Sequence, residues 1–461
     1  MSNKMPMMKF RCAPGISTLA ACLCLAAVAH AQRPGHPPAL SANAVNTANT
    51  TGQFGSPLPG LSATELTAFT TGQAQFQVFD GAADGLGPIF NGQACVQCHT
   101  QPNTNGNPTI TPPFGSNAAV VSGVTVGGAS AFTETRAGTL NPNGTFNPLA
   151  KHEDGSLFHL ASLTPGSQES VPADATIVAH RKTSPIFGAG LIEAIPDATI
   201  KANVHTTPVD GVTGRFADLS GDAVTQKIAT TNPAGAQNLV GRFGWKAQES
   251  TVLAFAGDAY LNEMGITNRF FTTDLAPDGN QVALLAAEPA GITPTTLQDL
   301  PSNPALPESP TNKDDIARFT DFMEFLAPPP TVPLTAQAQQ GQQLFTQINC
   351  VACHKPTMTT GPSSVSPALA AKPVNLFSDL LLHNMGTLAD GIGQANAAPT
   401  EMRTAPLWGL RARAPYLHDG RASTILQAIL MHDGEALTIR NRFAALSSAQ
   451  QQAIIAFLNS I

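Results

Sequence analysis

Apolar residues recur at helical spacing in several short stretches, and a capping residue precedes most of them. The run Ser-Ala-Thr-Glu at 62–65 is a capping box, which predicts that a helix opens there. The other predicted helices lie between Ser250 and Leu261, from Lys313 to Leu326, after Thr335, and after Ser447 or Ser448. The stretch from Lys313 to Leu326 places Ile316, Phe319, Phe322, Met323 and Leu326 on one apolar stripe. We therefore expect a mainly α-helical fold.

The helical period is missing from about 101 to 172, where Gly, Asn, Thr and Ser predominate. We expect a long loop or a β-ribbon insertion there, which either shapes a substrate channel or only covers surface. Farther along, three prolines at 328–330 end a helix and mark a linker. This pattern predicts an N-terminal domain at 61–330, which contains the insertion, and a C-terminal domain at 335–461.

The first residues have the anatomy of a signal peptide, which we place at 1–31. Lys4, Lys9 and Arg11 precede an apolar run, which ends in Ala-His-Ala at 29–31. We expect export to the periplasm, and lipoprotein processing at Cys22 is an alternative. Residues 32–60 lack periodicity and are expected to form a flexible lead-in. The chain has no apolar stretch long enough to predict a transmembrane segment.

Composition and charge narrow the classes of partner. Only 12% of the 461 residues are charged, and the formal net charge is -7. Loss of the leader would remove three positive charges and leave about -10. An acidic chain argues against a nucleic-acid partner. It would suit a basic electron-donor protein, although ordinary solubilising charge explains it more simply.

The candidate chemistry lies in two copies of Cys-x-x-Cys-His, at 95–99 and 350–354. This spacing lets two thiols bond to the vinyl groups of one haem while the adjacent histidine binds the iron. A redox dithiol or half of a zinc site would need a sequence context that is not visible here. The residues predicted to hold two covalent c-type haems are Cys95, Cys98, His99, Cys350, Cys353 and His354.

Cysteine usage agrees with this interpretation. The chain has seven cysteines, of which three lie in the predicted leader and four in the two motifs. No thiol remains in the mature chain for a structural disulfide. With one motif in each predicted domain, the expected fold is two cytochrome c-like haem domains. His152 and His159, in the insertion, are expected to be surface or loop histidines rather than iron ligands.

Further motifs give the chain a recognisable order. They are Arg-x-Thr-x-Pro at 181–185, GRFGWKA at 241–247, RTAPLWGL at 403–410 and APYLHDGRA at 414–422. Together with the two Cys-x-x-Cys-His motifs, this order resembles the di-haem oxidoreductase family of peroxidase-like proteins, sometimes labelled thiol oxidoreductases. That family is similar to bacterial di-haem cytochrome c peroxidases and to the di-haem enzyme that matures methylamine dehydrogenase. The resemblance covers nearly the whole mature chain and is weakest at 101–172.

The resemblance implies different roles for the two irons. The iron on His99 would bind peroxide, and the iron on His354 would be six-coordinate and relay electrons. Relatives carry Met or Tyr as the second ligand of the latter, and the matching place here is His432, a departure that would lower the reduction potential. Met431 and Met385 are the alternatives.

The resemblance also assigns an acid/base residue. A glutamate before Met-Gly has that role in relatives, and Glu263 is the matching residue, unless it merely ends a helix at the surface. The glutamine found ten residues earlier in relatives is Leu253 here. The inter-haem tryptophan falls on Phe243, with Trp245 two residues later, and a weaker match places an inter-domain calcium ion (Ca2+) near Gly188, where relatives have asparagine.

Three functional classes are compatible with these residues. The first is an enzyme that reduces hydrogen peroxide, a small-molecule oxidant, with electrons from a periplasmic donor protein. The second is a periplasmic electron-transfer cytochrome, and the third is an oxidase of a thiol or a protein side chain. We favour the peroxidase, because a carrier needs neither a distal acid nor a long insertion.

Overall fold

Helices make up most of the regular structure of the computed structural model. The structure describes residues 54–99, 118–121, 124–127, 134–150, 155–231, 238–287, 297–301, 303, 305, 309, 312–363 and 365–461. In these ranges the α-helices are α1 (Ala63–Gln75), α2 (Cys95–Cys98), α3 (Ala189–Glu193), α4 (Asp197–Lys201), α5 (Ala223–Thr231), α6 (Val252–Met264), α7 (Gln281–Ala287), α8 (Asp315–Glu324), α9 (Ala336–Gln347), α10 (Ile425–Leu430), α11 (Leu437–Ala444) and α12 (Ser448–Leu458). The mainly helical fold is confirmed for this part of the chain.

Short antiparallel strands connect the helices. They are β1 (Ile89–Phe90), β2 (Ala118–Val121), β3 (Val124–Gly127), β4 (Glu134–Leu140), β5 (Phe146–Pro148), β6 (Leu157–Phe158), β7 (Ala161–Ser162), β8 (Ile177–Arg181), β9 (Ala217–Asp218), β10 (Val240–Gly241), β11 (Met358–Thr359), β12 (Pro373–Val374), β13 (Leu382–Asn384) and β14 (Glu401–Arg403). The largest sheet is built on β4, which pairs with β5, β6 and β8. The described part of the insertion at 101–172 thus contains β2 to β7.

The helix starts predicted from capping residues are confirmed. The Ser62 hydroxyl accepts a hydrogen bond from the backbone of Glu65, whose carboxylate accepts one in return. Side chains of Thr251, Thr335 and Ser447 accept from the first turns of α6, α9 and α12. In the predicted stretch from Lys313 to Leu326 the helix itself is shorter, α8, because the Asp314 carboxylate caps its first turn.

Two helix crossings bring backbones close together at glycines. Gly72 of α1 faces the Arg318 carbonyl of α8, and a Cβ there would lie 2.2 Å from that oxygen. Gly341 of α9 faces the Ala453 carbonyl of α12, where a Cβ would lie 1.9 Å from it. The first crossing supports an aromatic core beside the first Cys-x-x-Cys-His motif, and the second supports a core beside the second motif.

The predicted flexible lead-in and the predicted linker both contribute buried residues to the fold. Phe54 and Leu58, from the predicted lead-in, are buried, and Phe54 stacks edge-on against Phe187. The prolines at 328–330 are also buried, and Pro329 packs on Gly409. The packed part of the chain therefore begins before residue 61. The predicted linker lies in the interior, where its prolines have no N–H group that burial could leave without a partner.

The described residues, from 54 to 461, belong to one compact unit. The domain boundaries at 61–330 and 335–461 stay a prediction. The predicted signal peptide and most of the lead-in lie outside the described residues. Within those residues, no helix combines the length and the apolar content that crossing a membrane requires.

Candidate functional site

The first Cys-x-x-Cys-His motif forms a single helical turn, α2, with His99 at its end. The backbone N–H of His99 donates to the carbonyl of Cys95, and the His99 ring packs against Phe76 with centroids 5.8 Å apart. Burial lowers the pKa of His99 to about 4. Its imidazole is therefore neutral at physiological pH, as an iron ligand must be.

The second motif also begins with a helical turn, at Cys350–Ala352. The Nδ1–H of His354 donates to the Phe377 carbonyl over 3.1 Å, which leaves Nε2 available for a metal. Burial is the main cause that lowers the pKa of His354 to about 4. The four motif cysteines are free of disulfides, as haem attachment requires.

One cavity of about 310 Å³ joins the two motifs. Its lining includes Cys98 and His99 at one end and Cys350, Cys353 and His354 at the other. Most of the remaining wall is apolar, with Ile186, Leu326, Leu407, Ile425, Ile454 and Leu458 among its members. Such a wall suits the flat apolar surface of a porphyrin.

Four basic side chains interrupt that apolar wall, namely Lys182, Arg403, Arg413 and Arg440. Among the described residues their hydrogen-bond partners are main-chain carbonyl oxygens, such as that of Gly244 for Arg403 and that of Pro406 for Arg413. Burial lowers the pKa of Lys182 to about 8 and the pKa values of Arg403 and Arg413 to about 10. Buried cations need anionic partners, and the propionate carboxylates of haem would supply them. The residues present therefore fit haem.

His432 lines the same cavity, opposite His354. Their ring centroids are 6.3 Å apart. Two imidazoles that bind one metal from opposite sides, each through a nitrogen about 2.0 Å away, have ring centres roughly 6.4 Å apart. The Nδ1–H of His432 donates to the Ala428 carbonyl, so its Nε2 is the nitrogen left for a metal.

The two methionine alternatives differ in position. Met385 lines the cavity, whereas Met431 is 38% exposed and is not part of the lining. Met385 therefore remains a candidate on geometric grounds, and Met431 is a surface residue.

Glu263 lies near the C-terminal end of α6 and does not line the cavity. Its carboxylate accepts a 2.7 Å hydrogen bond from the Asn91 amide, and its charge acts on the neighbouring Cys98 thiol. Burial, assisted by the charge of Glu134, raises the pKa of Glu263 to about 8. The structure thus places a readily protonated carboxyl group beside the first motif, on the side of Cys98.

Trp245, rather than Phe243, lines the cavity between the two motifs. Its indole N–H donates to the Lys182 carbonyl over 2.7 Å, and its ring meets His418 edge-on with centroids 6.3 Å apart. The backbone N–H of Lys182 in turn donates to the His418 carbonyl. Phe243 packs behind Trp245, at a smaller cavity.

His383 sits beside Cys353 with both ring nitrogens engaged. Asp379 binds one nitrogen and Glu435 the other, each at 2.9 Å. Burial opposes the charged ring, but the two carboxylates outweigh burial and hold the pKa of His383 well above its usual range. Cys353, Asp379 and His383 are the only group of three potential metal ligands within the described ranges. Nothing in that group supports the calcium site expected near Gly188, which contributes no side-chain oxygen.

His159 lies in the short loop between β6 and β7, as the loop alternative predicted, but it is buried and is not a surface residue. One ring nitrogen meets the Glu169 carboxylate at 3.1 Å, and the other donates to the Asn262 carbonyl at 2.9 Å. Both ring nitrogens of His159 therefore have protein partners. His152 lies outside the described residues.

Comparison with known proteins identifies the family. A family model described as "Di-haem oxidoreductase, putative peroxidase" matches residues 167–461. The chain belongs to this di-haem oxidoreductase family. The match begins after the first Cys-x-x-Cys-His motif, so that motif is supported by its own sequence and geometry. No curated protein matches the chain.

Solved structures show only low similarity to this di-haem oxidoreductase. Hydrazine synthase from Kuenenia stuttgartiensis is 15% identical, with 61% of this chain and 73% of that chain covered and a TM-score of 0.30. A MauG-like protein associated with microbial copper homeostasis is 14% identical, with 87% and 89% covered and a TM-score of 0.32. A variant of the diheme peroxidase BthA from Burkholderia thailandensis is 13% identical, with 86% and 85% covered and a TM-score of 0.27. Because these TM-scores are low, the family assignment rests on the match over residues 167–461.

Lys182 lies within the motif at 181–185 and Arg403 begins the motif at 403–410, but their positions in the sequence assign neither a role. His383 and Arg413 lie outside the motifs, and no sequence pattern marks them. Only the fold shows that these cations converge on one cavity.

Proposed function

We propose that this di-haem oxidoreductase is an exported c-type cytochrome that reduces hydrogen peroxide at the N-terminal haem. Electrons would arrive through the C-terminal haem from a periplasmic donor protein. Bound haem supplies an iron that exchanges electrons with peroxide. Cys95, Cys98 and His99 would hold the first haem, and Cys350, Cys353 and His354 the second.

The observation that carries the proposal is the unequal surroundings of the two motif histidines. His354 faces His432 at the distance expected for two ligands of one iron. The ring contact that His99 makes among the described residues is with Phe76, which cannot bind iron. An iron with a free position can take a small oxidant, whereas an iron with two histidine ligands is suited to electron transfer.

Glu263 is the residue that we propose to move the proton. Reduction of peroxide requires one proton to leave the oxygen that is bound and to reach the oxygen that departs. A carboxyl group with a pKa near 8 can both accept and return a proton at physiological pH. The hydrogen bond from Asn91 fixes the direction of that carboxyl group.

Lys182, Trp245 and His418 would join the two haem sites. The main chain of Lys182 accepts from Trp245 and donates to His418, so these three residues are held together between the motifs. An aromatic pair in this position supports electron relay between the haems. The cationic side chains of Lys182, Arg403 and Arg413 would orient both haems through their propionates.

Peroxide turnover by the haem-loaded protein tests this proposal. The purified protein, reduced with a small c-type cytochrome, should consume hydrogen peroxide and oxidise that donor in proportion. A protein that accepts and returns electrons without consuming peroxide would instead be an electron carrier. Consumption of oxidant only in the presence of a thiol or a protein substrate would indicate the third class. Loss of residues 1–31 from protein recovered in the periplasm would test export.

A further inference from the structure

Tyr260 is buried in the core beside the first haem motif, on the helix that also carries Glu263. It is 3% exposed and belongs to α6. Its hydroxyl lies 3.4 Å from a carboxylate oxygen of Asp80 and 3.4 Å from one of Asp315. A buried phenol between two carboxylates is an unusual arrangement for a core residue, since burial of acidic groups costs free energy.

A continuous series of aromatic contacts joins Tyr260 to His99. The Tyr260 and Phe319 rings meet edge-on with centroids 5.1 Å apart. Phe319 meets Phe76 edge-on at 6.0 Å, and Phe76 packs on His99 at 5.8 Å. The phenylalanines are not oxidised themselves, but they provide close-packed contact from the expected iron ligand to the phenol.

Asp80 is the better placed of the two proton acceptors. Asp315 is bound to Arg318 at 2.7 Å and accepts from Gln75. Asp80 is 7% exposed, and Tyr260 is the hydrogen-bond donor to its carboxylate in the described part of the chain. Burial, with the nearby charges of Asp315 and Asp84, raises the pKa of Asp80 to about 7. The Asp80 carboxylate is therefore a stronger base than an ordinary surface aspartate.

The phenol of Tyr260 cannot simply ionise in this position. Burial and the carboxylates raise its pKa well above the usual range. A phenol that loses an electron becomes a strong acid, so its oxidation requires an acceptor for the proton. The carboxylate of Asp80 meets this requirement.

We propose that Tyr260 is a redox-active residue that returns an electron to the first haem site once peroxide has oxidised it. The electron leaves the phenol for the haem, the O–H bond of Tyr260 breaks, and a new O–H bond forms on the Asp80 carboxylate. The products are a neutral tyrosyl radical, a protonated Asp80 and a haem site reduced by one electron. This inference rests on the proposed function, because peroxide is the oxidant that it names.

The chain provides a matched control, since Tyr416 is its only other tyrosine. Tyr416 lines the cavity, and in the described part of the chain no carboxylate hydrogen-bonds to its hydroxyl. Both tyrosines can be changed to phenylalanine with the loss of one oxygen atom each. Asp84, which is exposed close to Asp80, is the corresponding control for the carboxylate.

Electron paramagnetic resonance of the haem-loaded protein, frozen shortly after addition of peroxide, tests the proposal. The parent protein should show a tyrosyl radical whose signal narrows when the tyrosine rings are deuterated. Tyr260→Phe should reduce that signal at least about tenfold, and Tyr416→Phe should retain it. Asp80→Asn should lower its yield roughly tenfold, since a lost proton acceptor has effects of that size or larger. Asp84→Asn keeps the acceptor and removes only a weaker cause of its raised pKa, after burial and Asp315, so it should retain most of the signal. Unchanged haem absorption spectra in the four variants would show that they fold.

Other outcomes would overturn the inference and are distinct from failure of the proposed function. A signal lost in Tyr416→Phe alone, or insensitive to tyrosine deuteration, would assign the radical to another residue. Haems that react with peroxide without forming any radical would exclude Tyr260. If peroxide leaves both haem spectra unchanged, the proposed function fails. In that case a flash-generated ruthenium oxidant can replace peroxide and oxidise the haem. The tyrosyl radical signal would then be compared in the parent, Tyr260→Phe and Tyr416→Phe proteins, and a signal that persists in Tyr260→Phe would exclude Tyr260.

Discussion

The carboxyl group of Glu263, near the end of α6, accepts a hydrogen bond from Asn91, the residue after β1, and its surroundings favour the protonated form. Replacement by glutamine keeps the shape and the contact with Asn91 but removes the proton transfer. We expect Glu263→Gln to cut peroxide turnover by about a hundredfold or more, the usual size of a lost acid/base group. Both haem absorption spectra should stay nearly the same. Asp84→Asn, at an exposed acid near the same motif, should leave turnover unchanged.

The pH profile of the same assay checks this role independently. With a pKa of about 8, Glu263 is mostly protonated at neutral pH and ionises as the pH rises through that value. A group that must first take a proton works in its ionised form, so parent turnover should rise with pH and level off above about 8. The Glu263→Gln profile should lack this rise. Full turnover in that variant would exclude Glu263.

His432 is the residue on which the electronic state of the second iron should depend. Its ring faces that of His354 at 6.3 Å. Loss of one of two strong-field imidazole ligands should convert a low-spin haem to high spin, so His432→Ala should show this change by electron paramagnetic resonance. Met431→Ala is the matched control, since that side chain is at the surface. An unchanged low-spin signal in His432→Ala would transfer the role to Met385.

At the scale of elements, the buried pair Asp379 and His383, with the partly buried Glu435, ties β13 to the segment that follows His432. Glu435 also accepts from the backbone N–H groups of Thr213 and Gly214, so it joins distant parts of the chain. Removal of one member of a buried ion pair leaves a charge uncompensated and costs about 3–5 kcal/mol. We expect His383→Gln to lower the free energy of unfolding of the haem-loaded protein by roughly 3 kcal/mol.

Acid should remove the same stabilisation from the parent protein. His383 and the backbone donors hold the pKa of Glu435 at about 2, below its ordinary value. A lowered carboxyl pKa contributes stability above the ordinary value and loses it as the pH falls toward 2. Denaturant unfolding at several pH values should therefore show this loss in the parent and much less of it in His383→Gln. If the free energy of unfolding falls with pH by the same amount in both proteins, the role assigned to this group is wrong.

The starts of several helices could be predicted because capping residues lie next to the turns that they cap. The capping residues Ser62, Thr335 and Ser447 act on backbone groups within one turn, so sequence spacing alone identifies them. The burial of His159 could not be predicted in the same way. Its partners are Glu169 and the Asn262 carbonyl, and only tertiary packing brings Asn262 to it. The burial of the prolines at 328–330 could not be predicted either, because a packing partner such as Gly409 is remote in sequence.

At the scale of the whole molecule, the two Cys-x-x-Cys-His motifs share one cavity although 250 residues separate them in the chain. Motif chemistry predicts a haem at each motif. The shared cavity, its cationic residues and the position of Trp245 depend on tertiary packing and could not be predicted from spacing. The resemblance put the inter-haem tryptophan on Phe243, whereas the side chain that faces the cavity belongs to Trp245.

The central claim is that the two iron sites differ, with a free position at the first and two histidine ligands at the second. Electron paramagnetic resonance of the resting ferric protein counts high-spin and low-spin haems directly. We predict one high-spin and one low-spin signal of equal intensity, and only the high-spin signal should change when a small ligand such as azide is added. Two low-spin signals that do not respond to azide would contradict the claim and favour an electron-transfer cytochrome.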